Sequence, residues 1–389
     1  MNTKNLSRIN QVIQEEIDKG YIAGAAFRLL HHNELCFDQI YGKRDLEAGS
    51  AMTKDTIFRM HSMTKPITAV AALMLYERGE LNLFSPVSDY LPGFQNQKVY
   101  TDSGLKDVKR PVLIKDLLNM TSGILYPDAT EAGQLMGALY DKVGAAHHGG
   151  HPIGTLDFCN RMGEIPLAYQ PGESWGYGAS ADVLGAVIEA ITGKKYGSFL
   201  REELFVPLEM KDTAFYVPEE KRNRFAKIYD YKTDTKRLEL FTDDFLALFD
   251  YMEAPAFESG GAGLVSTIED YTHFTQMLAG GGSYKDSRLL GRKTIVYLAT
   301  PQLTGEQLKT YNWDSQIGYH YGNLCRILVD PAQAATNGTA GEFGWDGWCG
   351  NYFFVDPREN LVMIYMVQRC GGSGPDYIRK LRNIVYGAL

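Results

Sequence analysis

The chain has 389 residues, 44% of them hydrophobic and 22% charged, with a formal net charge of −8. This is the balance of a folded globular protein, and the length suits one unit with two lobes better than a single small core. A general nucleic-acid binder needs a basic face to displace counterions from phosphates, and no long Lys/Arg run supplies one. No stretch approaches the run of about 20 apolar residues that spans a bilayer, and Met1 to Gly20 mixes Asn, Lys, Arg, Gln and Glu without an apolar signal core. A cytoplasmic protein is the expectation. The five cysteines are widely spaced, odd in number and lack a C-x-x-C pair, the pattern of free thiols rather than of a disulfide framework or a zinc site.

In chain order, Leu6, Ile9, Val12, Ile13 and Ile17 predict a surface helix over 5–19. Ala25–Leu30 and Leu35–Tyr41 read as two strands of a hairpin turning at His31-His32-Asn33-Glu34. Ile67, Val70, Ala71, Met74 and Leu75 form an apolar stripe that predicts a helix from Ser62 to Arg78, stopped at Gly79. Pro66 fits only in the first turn of that helix, which puts Ser62 at or just before its N-terminus. From 85 to 257 the pattern is helices and long loops, including a helix over 183–191 ended by Gly193. The loops 126–155 and 213–257 follow no recognisable pattern. His147, His148 and His151 sit among glycines, and the expectation there is a mobile loop at the mouth of a site, not a metal centre. Gly260-Gly261-Ala262-Gly263 precedes a helix from about Thr267 to Leu278. Asn351–Val355 and Leu361–Gln368 read as a hairpin, and 376–386 as a last helix. Strands near both ends with helices between suggest one sheet built from residues 1–84 and 258–389, and a mainly helical lobe over 85–257.

Ser62-Met63-Thr64-Lys65 carries the chemistry. A serine hydroxyl is a weak nucleophile until a neighbouring base takes its proton. Residues three apart share a helix face, so Lys65 reaches Ser62. The helix dipole and loss of solvent both lower the pKa of such a lysine. A backbone N–H at the helix start lacks a helical acceptor and is free to serve an oxyanion. No G-x-S-x-G elbow occurs, which disfavours an α/β-hydrolase triad, and the glycines at 260–263 lack the Gly-Lys-Ser/Thr of a phosphate loop.

Phe58 to Lys65, with Leu81-Asn82-Leu83 and Leu91-Pro92-Gly93-Phe94, resembles the S-x-x-K region of class C β-lactamases, D-Ala-D-Ala carboxypeptidases and family VIII carboxylesterases. Further matches follow in order: Leu117 to Gly123 (with Met120 where His is usual), Pro171-Gly172-Glu173 leading to Trp175-Gly176-Tyr177, Gly260 to Thr267, and Phe343-Gly344-Trp345-Asp346-Gly347 followed by Val355-Asp356-Pro357. The resemblance covers about residues 5–385. It implies a β-lactamase-like α/β (α+β) fold, an antiparallel sheet flanked by helices with a mainly helical second lobe. It also implies a two-step acyl transfer without metal or cofactor on a small-molecule ester or amide. Ser62, Lys65 and Tyr177 take the catalytic roles, with a tyrosinate at 177 sharing the Ser62 proton. Trp345, Asp346, Gly347 and Trp348 become the oxyanion and substrate-binding segment, the Trp348 N–H being the second oxyanion donor.

Two departures sharpen the reading. The lactamase Y-x-N motif is Tyr177-Gly178-Ala179 here, and Trp345-Asp346-Gly347 stands where lactamases carry K-T-G and the esterases W-G-G. Trp345 cannot supply the charge that would hold a penicillin or peptide carboxylate. Hydrolysis of carboxylic esters is therefore the expected activity. β-Lactam or D-amino-acid peptide hydrolysis and a catalytically silent binding protein of the same fold are the alternatives. Asp346 has two readings, attraction of a cationic substrate or a bond to a neighbouring loop.

Overall fold

The computed structural model describes residues 1–242 and 244–389. Its frame is an eight-stranded antiparallel sheet. The strands are β1 (Gly24–His31), β2 (Glu34–Asp45), β3 (Ser50–Ala51), β4 (Tyr319–Gly322), β5 (Cys325–Leu328), β6 (Phe343–Asp346), β7 (Tyr352–Asp356) and β8 (Leu361–Val367). Their spatial order is β4-β5-β6-β7-β8-β1-β2-β3. The two ends of the chain meet at the β1–β8 pairing, in register from Ala25↔Val367 to His31↔Leu361.

Alternation along β1 decides what lies on each face. Phe27 and Leu29 pack with Tyr365 and Met363 of β8. They lie against the apolar sides of helix α1 (Arg8–Asp18) and of a C-terminal helix, Pro375–Tyr386. Ala26 and Leu30 face the opposite way, into the main core. That core surrounds helix α2 (Thr64–Glu77), in which every residue from Thr64 to Leu75 is buried. The sequence shows one apolar stripe there, but the helix is central and covered on all sides. Its other faces carry small residues, Thr68, Ala69 and Ala72, that let neighbours approach.

Two expectations change. The N-terminal helix is interrupted at Ser7, with a short turn Thr3–Leu6 before α1. Two of the three histidines, His147 and His148, lie in a helix and not in a loop, and His151 follows its end. Helix α3 (Glu131–His148) is capped by Thr130, whose side chain accepts from the Gly133 N–H, and it ends with His147 and His148 engaged. His147 stacks on Phe249 at 3.6 Å between ring centroids, and His148 Nε2 lies 2.8 Å from Asp244 Oδ2. Two more helices complete the set needed below: α4 (Ser180–Thr192), ended by Gly193 at φ +65°, and α5 (Ile268–Ala279), capped by Thr267 accepting from the Asp270 N–H. The C-terminal helix, α6, is Pro375–Tyr386. Among the described residues no helix is long and apolar enough to cross a membrane.

Candidate active site

Ser62 lies in a short 3₁₀ turn, His61–Met63, that runs directly into α2. The turn is entered through His61 at φ +45°, a left-handed conformation that costs a non-glycine residue free energy and needs surrounding structure to hold it. The His61 ring is buried against Trp348, 5.4 Å between centroids. Burial, then Arg59 and Lys65, pushes its pKa down to about 3. Neither of its ring nitrogens meets a hydrogen-bond partner among the described residues. Despite its place next to Ser62, His61 is a neutral packing group, not a base.

Lys65, one helical turn on, is fully buried. Its Nζ lies 3.1 Å from Ser62 Oγ, 2.9 Å from the Gly261 carbonyl oxygen and 3.1 Å from the Tyr126 hydroxyl. Burial lowers its pKa from the usual lysine value to about 7, and the Asp182 and Asp346 carboxylates hold it from falling further. A neutral amine has two N–H bonds and one lone pair. The Gly261 carbonyl can only accept. Tyr126 Oη lies 3.5 Å from Asp182 Oδ2, an acceptor for its proton, which leaves the hydroxyl oxygen free to accept from Lys65. Both N–H bonds are then spent, and the lone pair is left for the Ser62 proton.

Tyr126 and Asp182 have no counterpart in the sequence reading. Tyr126 follows the Leu117–Gly123 turn by three residues, outside the quoted motif. Asp182 opens the apolar helix α4 and is buried. It accepts from Ser259 Oγ and the Gly261 N–H at 3.0 Å. Burial pushes its carboxyl up, and Lys65 leads the contacts that pull it back. An isolated carboxylate inside an apolar helix was the available signal. The same cluster explains Gly261: a Cβ there would sit 2.6 Å from Tyr126 Oη and 2.8 Å from Asp182 Oδ2.

Tyr177 packs edge-on against Tyr126, 5.8 Å between ring centroids, and its ring centre is 4.6 Å from Lys65 Nζ. Trp345 Nε1 donates to Tyr177 Oη at 3.2 Å. Burial pushes the Tyr177 hydroxyl well up, and its contacts with Ser62 and Trp345 pull it only part of the way back. Tyr177 therefore keeps its proton at neutral pH, where the sequence suggested a tyrosinate. Trp345, expected in substrate binding, is fully buried behind Tyr177 and lies outside the cavity lining.

Gly347 has a structural reason as well. A Cβ on it would come within 2.4 Å of the Met60 carbonyl oxygen, so the glycine lets the end of β6 press against the turn carrying Ser62, and it also lines the cavity there. The Gly347 N–H is used by the Asn351 carbonyl at 2.8 Å. The N–H groups of Ser62 and Trp348 donate to no other group among the described residues, which leaves both available to an oxyanion.

A cavity of about 340 Å³ opens at Ser62, and Tyr177, Trp313, Asp346, Trp348 and Tyr352 are among the residues lining it. Trp348 is propped by Phe245, stacked at 4.3 Å. Asp346 Oδ2 accepts from Arg326 Nη1 at 3.3 Å. Burial pushes its carboxyl up, and Arg326 and Lys65 pull it back.

This fold is that of the serine β-lactamase-like proteins. The chain belongs to the beta-lactamase family, whose model matches residues 9–386. It is 31% identical to Esterase EstB of Burkholderia gladioli over 98% of this chain and 95% of that protein. Among solved structures it is similar to EstCE1, described as a hydrolase with promiscuous acyltransferase activity, at TM-score 0.83 and 25% identity over 99% of both chains. The simvastatin synthase LovD of Aspergillus terreus shares the fold at TM-score 0.81 and 21% identity, covering 98% of each chain.

The environment of Lys65 makes a pH prediction. A lysine acting as base works in its neutral form, so kcat/KM for an uncharged ester is expected to rise with pH and level off above a midpoint of about 7. Asp182 holds that midpoint up, because a nearby carboxylate favours the ammonium. Asp182→Asn should shift the limb to lower pH. A pH–rate profile of both proteins checks this, and an unmoved midpoint would mean Asp182 is only structural.

Proposed function

We propose that this protein hydrolyses small carboxylic esters through an acyl-enzyme on Ser62. The observation carrying the reading is the buried Lys65 amine, 3.1 Å from Ser62 Oγ, with its other two contacts taken by Gly261 and Tyr126. Ser62 Oγ attacks the carbonyl carbon as Lys65 Nζ takes its proton. The N–H groups of Ser62 and Trp348 hold the resulting oxyanion. The tetrahedral adduct collapses with loss of the alcohol, whose oxygen receives a proton from the Lys65–Tyr177 side, leaving acyl-Ser62. Water then attacks the acyl carbon as Lys65 Nζ takes its proton, and the Oγ–acyl bond breaks as that proton returns to Ser62 Oγ, releasing the acid.

Esters are favoured over β-lactams and peptides by residue type. A carboxylate-bearing substrate of either kind would be helped by a lysine at the first position of the third motif. Trp345 stands there, with its ring turned away from the cavity and bonded to Tyr177. The similarity to EstB across nearly the whole chain supports the same class.

Hydrolysis of p-nitrophenyl acetate and butyrate, compared with nitrocefin, tests the reading. The expected kcat/KM for the esters exceeds that for the β-lactam by at least about 10²-fold, since a site lacking the charged partner loses discrimination of that order. Faster opening of nitrocefin would make this a β-lactamase. No turnover of any of the three would favour a binding protein that kept the fold.

A further inference from the structure

The cavity at Ser62 carries a feature that ester hydrolysis alone does not require. Asp346 ends β6 beside the Ser62 turn, and its side chain is 44% exposed on the cavity wall. It is the one acidic residue of that lining among the described residues. Its counter-charge is placed differently. The Arg326 side chain is 3% exposed, lying 4.1 Å above the Tyr352 ring centre and giving its second amino group to the Phe353 carbonyl at 3.0 Å. Both residues border the cavity, but the carboxylate is the exposed member of the pair and the guanidinium the buried one.

The pairing is weak on the acid side. A single contact of 3.3 Å joins Arg326 Nη1 to Asp346 Oδ2, and Oδ1 has no hydrogen-bond partner among the described residues. The other two arginines bordering the cavity are engaged elsewhere, Arg379 with Asp376 at 2.7 Å and Arg382 with Glu342 at 2.6 Å. Around Asp346 the walls are aromatic: Tyr177, Trp313, Trp348 and Tyr352. Aromatic faces attract a cation through the ring quadrupole and do not hydrate it. An accessible carboxylate among such faces is the arrangement that recognises an alkylammonium group.

We propose that Asp346 makes this enzyme selective for esters that carry a cationic amine or quaternary ammonium group a few bonds from the scissile carbonyl. The inference rests on the reading of Ser62 as an esterase nucleophile. It assigns Asp346 to specificity, with no part in bond making. A bound ammonium also favours the ionised form of the carboxyl that it meets.

The experiment uses two pairs of esters matched in shape and differing only in charge. On the acyl side, p-nitrophenyl 4-(trimethylammonio)butyrate is compared with p-nitrophenyl 5,5-dimethylhexanoate. On the alcohol side, acetylcholine is compared with 3,3-dimethylbutyl acetate. In wild type the cationic member of at least one pair should have the higher kcat/KM, by about tenfold, the size of a partly screened carboxylate–ammonium contact with aromatic support. The preference should shrink as ionic strength rises. Asp346→Asn should bring that ratio toward one and Asp346→Glu should restore part of it. Because each ratio is taken within one protein, a loss of overall activity in a variant does not affect it. A wild-type ratio at or below one in both pairs overturns the inference without any variant, while leaving the esterase reading intact. A ratio above one that survives Asp346→Asn overturns it as well. No turnover of all four esters removes the esterase reading itself, and this inference with it.

Discussion

Ser62→Ala is expected to lower kcat/KM toward p-nitrophenyl butyrate by about 10⁴-fold or more, as loss of a nucleophile that acts within a unit does. The change removes one oxygen from a partly exposed side chain and leaves Lys65 bonded to Gly261 and Tyr126. Thermal unfolding should therefore stay close to wild type. Any residual rate would come from the oxyanion donors and from binding alone. Activity within tenfold of wild type would place the nucleophile elsewhere. Kinetics with both proteins, alongside a melting curve, make the measurement.

Lys65→Met should cost about 10³-fold or more in kcat/KM, because no other base reaches Ser62. His61 is adjacent in sequence but is held neutral and is a very weak base, its pKa pushed down to about 3. Tyr177 holds its proton too firmly to replace the amine. Lys65→Arg should be as damaging as Lys65→Met, since a guanidinium does not give up its proton in a protein. The double variant Ser62→Ala/Lys65→Met should be little worse than Ser62→Ala, because the two residues perform one step. Additive losses, measured with the four proteins of the cycle, would contradict a shared step. Lys65→Met also strands the Tyr126 hydroxyl and the Gly261 carbonyl, so some loss of stability, about 1–3 kcal/mol, accompanies it.

The Ser62–Lys65 spacing was legible because both groups lie on one helical turn, where sequence distance fixes spatial distance. Tyr126 was not. It reaches Lys65 from 61 residues away through the turn at 121–125, and only packing brings it there. Asp182 was hidden for the opposite reason: it lies within a helix whose apolar pattern explained its neighbours without it. The Gly260–Gly263 run was recognisable, but its reason needed the structure, since Gly261 is where Lys65, Tyr126 and Asp182 converge.

The sheet shows the same division. The β1–β2 and β7–β8 hairpins carry long apolar runs that predict strands from sequence. The β4–β5 hairpin has two four-residue strands and turns through Asn323 and Leu324, both at positive φ. Such two-residue turns favour Asn-Gly, and a leucine in the second position conceals the signal. Helix α3 was hidden by its glycines, Gly133, Gly137 and Gly144, each a poor helix former. The helix forms because Met136, Leu139, Tyr140 and Val143 have a core to enter.

The central claim is a covalent acyl-enzyme on Ser62, and intact-protein mass spectrometry after reaction with an activated p-nitrophenyl phosphonate tests it most directly. One phosphonyl group per chain, located on the peptide holding Ser62 and absent from Ser62→Ala, is the result this account predicts. Labelling that persists in Ser62→Ala, or that maps to another residue, would contradict it.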